Sequence, residues 1–153
     1  MNTQSKRPDE ETQRILVLLK LDSKRLFERI KDREIEYIAI FSIKRTREHF
    51  KDIFRNRYRD IPIEDLKKCG QEVIVGLDNF YSLVEEMQWY LNHTENMPST
   101  VEDHVKVYIK KLSQLYETLS LYIDAELGID EDSSLHSSTD FNDLEFNETG
   151  DEV

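Results

Sequence analysis

The sequence predicts an all-α protein, an antiparallel three- or four-helix bundle with a disordered acidic C-terminal tail. Two observations support this fold class. Glycine and proline are scarce, with 4 and 3 occurrences in 153 residues, and a β-rich fold with many tight turns would need more of both. Apolar residues also recur at alternating steps of four and three, a spacing that places them on one face of a helix.

The N-terminal part of the chain predicts a short polar arm and then a helix. Residues 1–8 are polar, and we expect them to be disordered. Pro8 followed by three acidic residues is typical of a helix start, because acids favour the positive end of the helix dipole. The apolar run of residues 15–21 fits either a short buried helix or a buried strand. The lack of turn residues at its ends favours the helix.

The next stretch is the least determined by its pattern. Asp22 and Ser23 are suited to capping a new helix. Residues 35–43 are rich in β-branched and aromatic residues, which suits a strand. No glycine or proline interrupts residues 9–61, so one long helix from residue 23 to about residue 58 is the simpler interpretation. Its buried face would carry the apolar residues Ile35, Ile38, Phe41, Ile43, Phe50, Ile53 and Phe54.

Two long helices within residues 63–127 are the firmest structural prediction, and each carries a coiled-coil-like apolar seam. The seam of the first consists of Leu66, Gly70, Val73, Leu77, Phe80, Val84, Met87 and Leu91. The seam of the second consists of Val105, Tyr108, Leu112, Leu115, Leu119 and Tyr122. Because the connection at residues 96–99 is short, the two helices should lie antiparallel.

The ends of these two helices are predicted from their capping residues. The first should begin at residue 62 or 63 and end at Pro98, since proline cannot continue the hydrogen-bond ladder. Ser99 and Glu102 have the spacing of a capping box for the second helix. Gly128 suits the left-handed position just beyond its end. We therefore expect a helical domain over residues 9–128 and a disordered tail over residues 129–153.

The charge of the chain is distributed unevenly. The formal net charge is −11, yet residues 124–153 contain eleven acids and no lysine or arginine, so the rest of the chain is nearly neutral. Within the tail, Phe141, Leu144 and Phe146 are interleaved with acids. They resemble a short linear motif that folds when it binds a groove on a partner with a basic surface. The alternative is a solvated tail in which these residues have no binding role.

One basic cluster occurs in residues 44–59, which hold seven cations and two acids. Its candidate binding residues are Lys44, Arg45, Arg47, Lys51, Arg55, Arg57 and Arg59. They are open to three interpretations: contact with nucleic-acid phosphates, a solvated helix face paired with acids elsewhere, or a docking site for the acidic tail. The near-neutral body and the lack of a nucleic-acid-binding motif favour the paired helix face.

No motif in the sequence points to catalysis, a metal or a cofactor. The four histidines lie far apart, and there is no phosphate-binding glycine loop, dinucleotide fingerprint or nucleophile elbow. The single Cys69 excludes an intramolecular disulfide and is expected to be a buried structural thiol. We therefore expect no catalytic residues, no metal site and no cofactor.

These observations predict a non-enzymatic, cytoplasmic protein-interaction module, an adaptor, regulator or chaperone-like bundle that uses helix faces and its acidic tail. The apolar run at residues 15–19 is too short for an export signal or a membrane span, so no membrane partner is expected. The expected partner is a protein, and a homodimer stays open. The alternative is a nucleic-acid-associated protein that binds through residues 44–59, with the tail modulating access.

Overall fold

The computed structural model describes residues 8–42, 46–48 and 50–129. In these ranges the protein is all-helical and contains no β-strand, as the sequence predicts. None of the helices described is both long and apolar enough to cross a membrane. The α-helices are α1 (Glu10–Asp32), α2 (Glu34–Ser42), α3 (Phe50–Phe54), α4 (Ile63–Leu66), α5 (Gln71–His93) and α6 (Pro98–Leu127), with a one-turn 3-10 helix at Tyr58–Asp60.

Helix α1 begins where the sequence predicts. The Asp9 carboxylate accepts a hydrogen bond from the Thr12 amide at 2.8 Å, and this bond lowers the pKa of Asp9. The expected new helix at residues 22 and 23 is wrong, because α1 continues through both. The Ser23 hydroxyl donates to the Lys20 carbonyl within the same helix, and Asp22 bonds groups outside it.

The apolar run of residues 15–21 is helical, so the preferred interpretation of this run is confirmed. The expectation that the whole run is buried is wrong. One side of the run packs into the core, while the other side remains about half exposed. The buried residues are Ile15, Leu16 and Leu19. The exposed residues are Val17 at 44%, Leu18 at 52% and Leu21 at 42%.

The predicted long helix from residue 23 to about residue 58 is also wrong. Helix α1 ends at Asp32, and α2 begins two residues later, so the chain forms separate helices. The strand alternative for residues 35–43 is wrong for its described part, since α2 is helical through Ser42. Ile35 was expected in the core but is 84% exposed. The α2 side chains that enter the core include Tyr37, whose hydroxyl donates to the Ile30 carbonyl at 2.7 Å.

The rest of that predicted face divides into two parts. Helix α3 contributes three core residues, as expected: Phe50, Ile53 and Phe54 are all buried. The side chains of Ile38 and Phe41, and the whole of residue 43, lie outside the described part of the chain. Because the chain forms separate helices and not one long helix, α3 folds back and packs against both α1 and α5.

The predicted helix from residue 62 or 63 is interrupted after Leu66, where α4 ends. Gly70 precedes the first residue of α5 instead of lying within a seam. The Gly70 amide donates to the Glu126 carboxylate of α6 at 2.6 Å. This bond satisfies a free amide at the start of α5, a task that usually falls to a capping side chain nearby in sequence. A Cβ at Gly70 would lie 2.1 Å from the same carboxylate oxygen.

Helices α5 and α6 lie side by side and run in opposite directions. The start of α5 contacts the end of α6 through Gly70 and Glu126, and Tyr90 near the end of α5 stacks on His104 near the start of α6 at 4.5 Å. Most of the predicted seams are confirmed. The buried seam residues are Val73, Leu77, Phe80, Val84, Met87, Leu91, Val105, Leu112 and Leu119.

The link between these helices differs from the prediction. Helix α5 ends at His93, and Pro98 is the first residue of α6, a position that suits its fixed φ and missing amide. Ser99 and Glu102 therefore lie inside α6, and the expected capping box is wrong. At the other end, Gly128 adopts φ 79°, the left-handed conformation that the sequence predicts.

Candidate functional site

The described residues of the basic cluster serve different purposes. Arg47 donates to the carbonyls of Leu91 and Asn92, so it caps the last turn of α5. Arg59 forms an ion pair with Glu85 of α5. Both arginines therefore hold the fold together.

The remaining members of the cluster do not form one continuous basic stripe either. Lys44 and Arg45 lie outside the described residues. Lys51 is exposed on α3. Arg55 and Arg57 lie in the segment between α3 and the 3-10 helix, and the fold brings them against α1. Of the seven predicted cations, these two line a recess that also contains two arginines of α1.

That recess is a pocket of about 430 Å³ between α1 and residues 55–57, and we call it the arginine pocket. It combines four guanidinium groups with one carboxylate, one carboxamide and an apolar wall. It is lined by Arg25, Arg29, Arg55, Arg57, Asp22, Asn56, Leu18 and Leu21.

Arg29 builds the pocket by tethering residues 53–55 to α1. Its Nε donates to the Ile53 carbonyl at 2.8 Å, and its Nη2 donates to the Arg55 carbonyl. These carbonyls lie at the C-terminus of α3, where a cation is favoured by the helix dipole. Burial lowers the pKa of Arg29, and the nearby positive charge of Arg55 lowers it further. The fold therefore holds two like charges close together.

Asp22 supplies the second tether. One carboxylate oxygen accepts the Arg57 amide at 3.0 Å, and the other accepts the Tyr81 hydroxyl at 2.6 Å. Burial, followed by the bond to Asp22, raises the pKa of Tyr81, so the phenol stays protonated at neutral pH. Tyr58 stacks on the Tyr81 ring with a centroid distance of 4.3 Å. The only carboxylate in the pocket is thus already bonded to two uncharged donors.

The arginine pocket carries an excess of three positive charges. Among the described residues, no ion pair involves Arg25, Arg55 or Arg57, whereas Arg59 and Arg33 each have a carboxylate partner. Guanidinium groups bind carboxylates and phosphates through paired hydrogen bonds, so the pocket suits an anionic group. The buried Oδ1 of Asn56 has no hydrogen-bond partner among the described residues.

A second recess adjoins the first. It has a volume of about 610 Å³ and is mostly apolar. It lies between the first turns of α1 and Leu127 at the end of α6, and Leu18 borders both recesses. An occupant of the arginine pocket that extends along α1 would therefore enter an apolar surface near the C-terminal end of α6.

Cys69 is buried, and burial followed by the nearby Glu126 charge raises the pKa of its thiol to about 11. Its predicted burial is confirmed. In the described ranges, no three histidine, cysteine or acidic side chains converge in a way that would hold a metal ion.

The tail residues Phe141, Leu144 and Phe146 lie outside the described residues, so their predicted role in partner binding stays a prediction.

Sequence reasoning missed the half of the pocket that α1 supplies, including Arg25, Arg29 and Leu18. A signal was present, because residues 18, 21, 25 and 29 are three or four apart and so share one helical face. The signal was obscured because residues 18 and 21 belong to the run of residues 15–21, whose sequence is apolar on every side of a helix. Asn56 has no comparable signal, since its burial depends on tertiary contacts.

No protein-family model matches the chain, and neither the curated proteins nor the solved structures include a significant match. Functional inference therefore rests on the chain's own chemistry.

Proposed function

We propose that the protein is a non-enzymatic protein-interaction module, an antiparallel helical bundle whose arginine pocket binds an acidic segment of a partner protein. One observation carries the proposal. Four arginines surround a single carboxylate that is already hydrogen-bonded, next to two half-exposed leucines. The tail alone would suit a partner with a basic surface, whereas this pocket suits an acidic one.

The chemistry of the pocket matches an acidic peptide group by group. Its arginines would bind carboxylates, and its leucine wall would cover an apolar side chain. A nucleic acid would use the arginines but would leave the leucine wall without a partner. Arg47 and Arg59 are also engaged within the fold, which shortens any basic track along residues 44–59.

The test measures binding of a short fluorescein-labelled peptide, rich in glutamate and containing phenylalanine, to the full chain by fluorescence anisotropy. The pocket variant is Arg25→Ala with Arg57→Ala, because neither side chain holds the fold together through a described contact. The matched control is Lys110→Ala with Lys111→Ala, which removes two exposed charges from α6. Arg29 is left intact because it tethers α3.

Both variants are made in a parent chain that carries Asp143→Lys and Glu145→Lys, so that the acidic tail does not compete with the peptide. In that background we expect the pocket variant to bind the peptide about ten-fold more weakly, which corresponds to roughly 0.7 kcal/mol for each lost charge contact. The control variant should bind like the parent chain. Circular dichroism should show equal helix content in all three proteins. Equal loss of affinity in both variants would reduce the interaction to net charge and contradict the proposal. Stronger, pocket-dependent binding of mixed-sequence RNA or DNA would replace it with the nucleic-acid alternative.

A further inference from the structure

One face of α1 forms a continuous strip of side chains that are exposed except at its last residue, Arg29, which bonds residues 53–55. Its residues are Arg14, Leu18, Leu21, Arg25 and Arg29, and we call them the α1 outer face. Their spacing of three or four residues places them along one side of the helix. Leu18 and Leu21 are about half exposed, and arginines flank them on both sides. The strip joins the arginine pocket to the apolar recess beside Leu127.

The C-terminal end of α6 lies at one end of this strip. The Lys20 ammonium bonds the Asp124 carboxylate at 2.6 Å, which fixes the last turns of α6 against α1. Leu127 then borders the recess that Leu18 also lines. Gly128 turns the chain out of the helix, and Ile129 follows with 40% of its surface exposed. The last described residues, Leu127 to Ile129, therefore lie beside the α1 outer face.

The composition of residues 130–153 is complementary to that face. The segment contains nine acids and no lysine or arginine. Its apolar residues Phe141, Leu144 and Phe146 are each next to an acid in the sequence. The α1 outer face presents the opposite arrangement, with leucines between arginines. Apolar contacts and charge pairs could then form together along one surface.

The segment is also long enough. Phe141 lies twelve residues beyond Ile129, so an extended chain spans at most about 40 Å between them. Leu18 and Arg29 are eleven residues apart on α1, which corresponds to roughly 17 Å along the helix. Residues 141–146 can therefore reach every part of the α1 outer face without any change in α6.

We infer that residues 140–146 of this chain dock on the α1 outer face, with Phe141, Leu144 and Phe146 against Leu18 and Leu21 and the adjacent carboxylates at the arginine pocket. The tail then occupies the site before a partner does. This competition rests on the proposed function, because it assumes that an acidic partner uses the same pocket. The docking itself does not depend on that assumption.

The loss of affinity that the tail causes for an outside acidic peptide can be calculated. A short tether holds its segment at an effective concentration of about 1 mM. If the free segment binds with a Kd of about 0.1 mM, the tail weakens binding of an outside acidic peptide about ten-fold. Asp143→Lys with Glu145→Lys should abolish docking of the tail and restore the ten-fold higher affinity for the outside peptide. Asp151→Lys with Glu152→Lys makes the same change in charge beyond the docking segment and should recover much less.

Docking is tested directly by paramagnetic NMR on the full chain. A nitroxide is attached to Ser138→Cys, and treatment of the unmodified chain with the same reagent checks that buried Cys69 stays unlabelled. We expect the amide signals of Leu18, Leu21 and Arg25 to lose most of their intensity, while those of Trp89 and Asn92 keep theirs. Added salt should restore the lost signals, because exposed charge pairs are screened.

The loss of signal should disappear in Asp143→Lys with Glu145→Lys and in Arg25→Ala with Arg57→Ala. It should persist in the α6 control, Lys110→Ala with Lys111→Ala. Unchanged signals along the α1 outer face, or losses that ignore the tail and pocket substitutions, would overturn the inference. If the tail fails to dock but acidic peptides bind the pocket, the proposed function stands alone. If the tail docks but no peptide binds even after Asp143→Lys with Glu145→Lys, docking stands and the proposed function falls.

Discussion

The α5–α6 pair and the α1 outer face are both built from apolar and charged residues at helical spacing, yet they use them differently. In the pair, seam residues such as Phe80 and Leu112 are fully buried. On the α1 outer face, Leu18 and Leu21 remain half exposed, and Arg25 has no described ion-pair partner. The pair thus stabilises the fold, whereas the α1 outer face leaves leucine and arginine side chains exposed, as the proposed function requires.

Charge shows the same contrast. Glu126 of α6 bonds the start of α5, and Glu85 of α5 pairs with Arg59, so these acids connect elements of the fold. The arginine pocket instead concentrates like charges, with Arg55 close enough to lower the pKa of Arg29. A fold gains little stability from such a cluster, and this supports the proposed binding role.

The largest expected effect is in the core of the pair. Phe80→Ala removes a ring with no exposed surface and should lower the free energy of unfolding by about 3–5 kcal/mol through lost burial and a residual cavity. Urea denaturation followed by circular dichroism measures this change. A loss below about 1 kcal/mol would show that the seam is not the main source of stability.

Alkaline pH should have the next largest effect on stability. Burial raises the pKa values of Tyr37 and Tyr81, and that of Cys69 to about 11, so these groups lose their protons more easily in the unfolded chain than in the folded one. Their stabilisation is complete below the unfolded pKa values and is lost as pH rises through the folded ones. Unfolding free energy should fall by about 3 kcal/mol between about pH 8 and about pH 10.5. Cys69→Ala should reduce this fall; an equal fall would exclude the thiol as a contributor.

Tyr81→Phe tests the link between the two regions. It removes the hydroxyl that bonds Asp22 and should lower the unfolding free energy by about 1–3 kcal/mol, since a part-buried carboxylate oxygen loses its donor. Tyr58→Phe is the control, because that hydroxyl has no hydrogen bond in the described structure and its ring still stacks on Tyr81. Thermal denaturation compares the two. Equal losses would show that the hydrogen bond to Asp22 is not the cause of the effect.

Glu126→Ala should have a smaller effect. The substitution removes the carboxylate that bonds the Gly70 amide at the start of α5, and loss of a helix cap typically costs about 1 kcal/mol. Glu117→Ala removes an exposed acid from the same helix and should change stability by less than about 0.5 kcal/mol. Urea midpoints measure the difference, and identical midpoints would show that the Gly70 contact contributes nothing.

The smallest effect is expected on the α1 outer face. Leu18→Ala and Arg25→Ala should each change the unfolding free energy by less than about 0.5 kcal/mol, because both side chains are exposed and neither completes a described network. Denaturation of these variants sharpens the contrast with Phe80→Ala. A loss above about 2 kcal/mol at either position would make the face part of the structural core.

The fold class and the α5–α6 seams follow from the sequence because long-period patterns average over many residues. The helix boundary at Gly70 does not, since the amide at the start of α5 is bonded by Glu126, far away in sequence. The site is predictable in part. Arg55 and Arg57 stand out in a basic cluster, but their position opposite Arg25 and Arg29 depends on how α3 folds back.

The central claim is that acidic segments bind at the arginine pocket and not on the α5–α6 pair. Titration of the glutamate-rich peptide into the ¹⁵N-labelled full chain, followed by amide chemical shifts, tests it most directly. We predict saturable shifts at Leu18, Arg25, Arg29 and Asn56, with the exposed α5 residues Asn79 and Ser82 unchanged. Shifts centred on α5 and α6, or none at pocket residues when the peptide is in excess, would contradict the claim.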